Sequence, residues 1–172
     1  MILKAFREKS NQKYINSLLN SRKAVFTNDK VKTIGVLLNL EEYDDFESFR
    51  LYFKELGLTS PKSKVAAFVN DEKKINNLWD TYFIPKNFGW KGKVNSIDLQ
   101  TFLDTEFDVL ISYFKSDILE LNLITALSKA KFKVGLSGVD ERLYDLIIDV
   151  EVRQQEVFKL ELKKYLTVLN KL

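Results

Sequence analysis

The chain has 172 residues and a net charge of +3, with 45% apolar and 30% charged side chains and thirteen Phe against six Gly and two Pro. A length of this order buries roughly 70% of the unfolded surface, so one domain with a full core is expected, and the composition excludes a disordered chain. The absence of Cys and His excludes disulfides, thiol and imidazole catalysis, Ser-His-Asp triads and zinc-finger ligation.

Charge is unevenly placed. Residues 1–33 carry eight basic side chains against two acidic ones, and the remainder carries nineteen against twenty-two. We therefore divide the chain into a basic helical arm, 1–32, and an α/β body, 33–172. Leu3 to Asn20 has helical spacing, with Leu3, Phe6, Tyr14, Ile15, Leu18 and Leu19 on one side, interrupted by Ser10 and Asn11. Lys4, Arg7, Lys9, Lys13, Arg22 and Lys23 make this arm the candidate surface for an anionic partner. The competing reading is a helix that docks on the body and merely solvates its outer side. No run reaches the roughly 20 apolar residues that span a bilayer, and the charged start is unlike a signal peptide, so a cytoplasmic protein is expected.

Thr33 to Asn39 is a continuous apolar run, as in a strand covered on both faces. A helix follows from about Asp44 to Leu56, stopped by Gly57. The turn between them lacks the glycines that let backbone N–H groups approach a phosphate, and carries Glu41, Glu42, Asp44, Asp45 and Glu47 instead. Acids at a helix start complement its dipole, so no metal or cofactor site is expected there. Lys64 to Asn70 repeats the strand pattern, completing a βαβ unit.

Asp71 to Asn95 is the least regular stretch. In it Trp79, Tyr82, Phe83, Phe88 and Trp90 interleave with Lys86, Lys91 and Lys93, a pattern that either closes the end of a core or stacks bases and neutralises phosphates. Trp79, Lys86, Phe88, Trp90, Lys91 and Lys93 are the candidate recognition loop. A short helix from Ser96 to Leu103 and a strand from Val109 to Phe114 follow. Asp117 and Glu120 have capping-box spacing at the start of a helix that runs to Ala130. Phe132 to Leu136 and Tyr144 to Val150 are further strands, and Val157 to Leu172 is an amphipathic helix. Only about seven residues join the last two strands, so the final strand is either antiparallel or reached by a single helical turn.

These elements predict one Rossmann-like three-layer α/β domain, with a mostly parallel sheet of about five strands between the basic first helix and the amphipathic last one. Open sheets of this kind bind ligands beyond the carboxyl ends of the strands, so Asn39, Asn70, Ser116, Asp117, Ser137 and Arg142 are the candidates for a pocket.

The runs LKAFREKSNQKYIN, KTIGVLLN, FGWKGK, FDVLISYF, ALSKAKFKVG and YDLIIDV resemble a family of short Bacteroidota proteins with no established activity. FDVLISYFKSDILELNLITALSKAKFKVG is also similar to a run in the N-terminal domain of heptosyltransferase-type glycosyltransferases. That resemblance implies a Rossmann-like fold. The second domain through which those enzymes mainly hold a nucleotide sugar has no room here, and the glycine-rich turn and catalytic acid of their first domain have no counterpart after Asn39. The expected function is a non-catalytic binding or adaptor protein, with RNA or the ribosome, or else a protein, as partner. A small nucleotide- or sugar-binding enzyme, or a remnant of one, is the alternative.

Overall fold

Alternation within the strands sets the architecture. In β1 (Ile34–Asn39), Ile34, Val36 and Leu38 enter one core and Leu37 the opposite one; in β4 (Val109–Tyr113), Val109, Ile111 and Tyr113 do the same against Leu110. A strand that buries both faces must lie inside a sheet covered on each side. The computed structural model describes residues 1–25, 27–58, 62–74 and 81–172. Among these, β1, β2 (Ser63–Phe68), β3 (Thr81–Phe83), β4, β5 (Phe132–Leu136) and β6 (Leu146–Ile148) form one sheet in the order β3-β2-β1-β4-β5-β6, and every pairing is parallel.

The first core is closed by α2 (Phe46–Glu55) and α5 (Gln155–Val168), through Phe49, Phe53, Phe158 and Leu162. The second is closed by α1 (Ile2–Ser21), α3 (Ile97–Asp104) and α4 (Leu119–Leu127), through Ile15, Leu19, Phe102 and Leu123. Each fully buried side chain of this size stabilises by about 1.5–3 kcal/mol, so the sheet is held from both sides. The result is a Rossmann-like three-layer α/β fold, as the sequence predicts.

The structure adds one strand to the sequence reading and settles its open alternative. The sheet has six strands rather than about five and is wholly parallel, because β3 (Thr81–Phe83) pairs with β2 (Ser63–Phe68) inside the stretch read as irregular. The last strand, β6 (Leu146–Ile148), pairs parallel with β5 (Phe132–Leu136), and a single 3-10 turn, Glu141–Leu143, makes the crossover. At the end of this link the Tyr144 ring lies directly on Gly135, where an added Cβ would sit 2.3 Å from the ring.

No helix among the described residues is long and apolar enough to cross a membrane.

Candidate functional site

The chain winds outward from β1 to β3, then returns to β4 and winds the other way. Between β1 and β4 the connections diverge, which is where doubly wound sheets hold their ligands. Here the chain fills that point itself. Glu42, in the turn after β1, accepts hydrogen bonds from the Lys115 N–H (2.8 Å) and the Ser116 N–H (3.0 Å) of the turn after β4. It also accepts one from the side-chain amide of buried Asn39 (2.8 Å), whose Oδ1 in turn accepts from the Glu41 N–H (3.2 Å). Burial by itself would raise the Glu42 pKa, but these donors outweigh it and hold the carboxyl below its usual value. The two backbone N–H groups that could hold a phosphate therefore hold a carboxylate of the protein.

Of the other strand-end candidates, Asp117, Ser137 and Arg142 are engaged and Asn70 is not. Asp117 is not a helix cap: Ile118 takes that position without a side-chain bond, and Asp117 accepts instead from the Asn122 amide at 2.6 Å. α4 also ends at Leu127 rather than Ala130. Ser137 donates to Asp149, and Arg142 grips Asp140 while reaching Asn16 of α1 at 3.0 Å. Asn70 is exposed after β2. Asn39 and Ser116 thus meet at Glu42, while Ser137 and Arg142 are spent on other partners.

The basic arm and the recognition loop come together. Phe88 and Val94 form an antiparallel bridge, and between them Gly89 donates to Lys93 O (2.8 Å) and Lys93 to Trp90 O (3.1 Å). Lys91 and Gly92 have φ of 52° and 72°, so the turn that closes this hairpin needs the left-handed region twice. Asn11 of α1, 3% exposed, clasps it: its amide donates to Gly89 O and its Oδ1 accepts from the Gly92 N–H, both at 3.0 Å. Tyr14 lies against Gly92, where a Cβ would sit 2.5 Å from the ring. The amide that interrupts the apolar side of α1 is therefore the residue that ties the arm to the loop. Its sequence signal was a polar side chain at a position that the spacing of the helix assigned to the core.

The loop divides its aromatics between two roles. Phe88 is buried against Phe83, with ring centroids 5.8 Å apart, and belongs to the core. Trp90 is 49% exposed at the hairpin tip, and Lys86, Lys91 and Lys93 are exposed. Trp79 lies outside the described residues.

On α1, Lys4, Lys9, Lys13 and Lys23 are exposed and Arg7 is half-buried. Lys4 lies 3.8 Å from Glu8, whereas Lys9, Lys13 and Lys23 hold no ion pair among the described residues. Arg22 differs from the set, since its guanidinium is paired with the nearly buried carboxylate of Asp145. Leu3 and Phe6, assigned to the docking side from their spacing, are instead exposed with Met1 and Ile2, because the first two turns of α1 have nothing to pack against. The arrangement is a helix with unpaired cations locked beside a hairpin that offers one exposed indole and two lysines.

Residues 7–169 match the family model described as a family of unknown function (DUF6913), and the chain belongs to that family. No curated protein matches it.

Proposed function

For this member of DUF6913 we propose a non-catalytic binding module that holds RNA, ribosomal RNA included, across α1 and the Trp90 hairpin, in the cytoplasm. The clasp of Asn11 on Gly89 and Gly92 carries this reading, because it ties the basic helix to the hairpin across separations of 78 and 81 residues in the chain. Lysines and arginines on that surface release counterions on meeting phosphates. An exposed indole beside them offers a base a face to stack on. A ligand-binding enzyme of the kind this fold often hosts is disfavoured, since Glu42 consumes the donors at the switch point; fold alone argues for it.

The test is fluorescence anisotropy with a labelled single-stranded RNA at 50 and 200 mM salt, beside a pulldown from native cells at low and high salt. Wild type should bind with an affinity that falls steeply with salt. Charge reversal at Lys4, Arg7, Lys9 and Lys13 should abolish binding without lowering the melting temperature, and Trp90→Ala should weaken it by about 1–3 kcal/mol. Binding untouched by charge reversal would sink the proposal, as would a salt-resistant protein partner recovered with no RNA. A thermal shift with nucleotides or nucleotide sugars would favour the enzyme reading instead.

A further inference from the structure

At the opposite end of the sheet, where the parallel strands begin, a cavity of about 410 Å³ opens between the C-terminal end of α1 and the α4–β5 connection. Leu18, Leu19, Val25 and Ala126 give it apolar walls, and Arg22, Lys23, Lys129, Lys131 and Lys133 place five cations around it, with Glu106 as the acid in its lining. That volume suits a small ligand. Arg22 lies eleven residues beyond Asn11, about 16 Å along the helix, so this place is distinct from the Trp90 hairpin.

The cations are not equivalent. Lys129 and Lys131 are paired at the rim with Asp104 (2.7 Å) and Asp108 (2.8 Å), and Lys23 is exposed. Lys133 is 3% exposed and has no carboxylate within ion-pair distance among the described residues. Its ammonium donates to the Thr125 O (2.7 Å) and Ala126 O (3.4 Å) of the last turn of α4, which leaves one of its three N–H groups without a partner among the described residues. Asp145, the acid whose charge acts on it, is spent on the Arg22 guanidinium and on the main-chain N–H of Lys133 itself. Buried charges are ordinarily paired. Burial, followed by the charge of Arg22, pushes the Lys133 amine down to about 8, and the attraction of Asp145 offsets only part of this.

We propose that this cavity binds a small organic anion, a carboxylate or phosphate ester on an apolar body, whose charge supplies the counter-ion that the surroundings of Lys133 lack. The apolar body rests on Leu18, Leu19, Val25 and Ala126, and the anionic head takes the free N–H of Lys133 while Lys23 screens the mouth. The site stands independently of the RNA-binding reading.

Isothermal titration calorimetry at pH 7 with octanoate, octyl phosphate and inorganic phosphate tests it. At least one of the two octyl anions should bind saturably with one site per chain, at least tenfold tighter than inorganic phosphate, and which one binds identifies the head group. Lys133→Met should weaken that binding at least tenfold. Because removing this ammonium also removes the cap on α4, Ala126→Phe is the second variant: it narrows the cavity, keeps Lys133, and should weaken binding as much. Charge reversal at Lys4, Arg7, Lys9 and Lys13 should leave octyl-anion binding unchanged, so failure here and failure of the RNA reading are separately visible. Absence of saturable binding to wild type overturns the proposal, as does undiminished binding by the folded variants or inorganic phosphate matching the octyl anions.

Discussion

Single side chains decide what this fold does with its switch point. Glu42 satisfies two backbone N–H groups and one buried amide at once, and a partly buried donor left unpaired costs about 1–3 kcal/mol. Glu42→Gln turns an amide NH₂ toward donors and should lose stability of that order at pH 7. The pH dependence has a definite sign. A carboxyl held below its ordinary value contributes stability above the unfolded pKa of about 4.5 and loses it as pH falls through the lower folded value. Urea unfolding at pH 7 and pH 3 should therefore show the gap between wild type and Glu42→Gln narrowing at the lower pH. A constant gap would mean that the carboxylate is not what holds the two turns.

Asn11 gives a second test at the same scale. Asn11→Ala leaves the Gly92 N–H and Gly89 C=O without partners, so it should destabilise by about 1–3 kcal/mol. It should also weaken RNA binding although it removes no charge. Gly92→Ala attacks the clasp from the other side, since φ of 72° strains any side chain and the Cβ would meet Tyr14; a loss above about 1 kcal/mol is expected by thermal unfolding.

At the level of elements, legibility followed burial. β1 and β4 are readable because both faces are covered, which writes an unbroken apolar run into the chain, and the helices show their spacing for the complementary reason. β3 has three residues at the sheet edge with Tyr82 exposed; so short a piece has no period to detect. The direction of β6 could not be read, because a link of about seven residues allows either an antiparallel return or a single helical turn, and only the 3-10 turn Glu141–Leu143 decides for the second. At the helix start after β4, Asp117 and Glu120 have the right spacing for a capping box, but Asn122 takes the Asp117 carboxylate. The basic arm and the aromatic loop were each visible as local patterns. Their meeting was not, since it depends on one amide bonding to two backbone groups far along the chain. Glu42 was visible only as an acid where glycine was expected, and the donors that hold it come from the turn after β4.

For the whole molecule the question is whether the arm is an appendage or part of the fold. Ile15 and Leu19 are buried in the same core as Leu110, Phe114 and Leu123, whereas Met1 to Phe6 are exposed throughout. Burial of Ile15 and Leu19 alone is worth about 3–6 kcal/mol, a large part of the roughly 5–15 kcal/mol that holds a domain together. Deleting residues 1–21 also uncovers the α4 side of the sheet and both clasped backbone groups of the hairpin. That deletion should leave a chain that melts far below wild type or fails to fold. Deleting residues 1–6 removes only exposed side chains, and calorimetry should find the melting temperature within about 2 °C of wild type. If the longer deletion left the melting curve unchanged, the first helix would be a separate arm; if the shorter one lowered it markedly, the apolar tip would already be covered, and its exposure could not serve a partner.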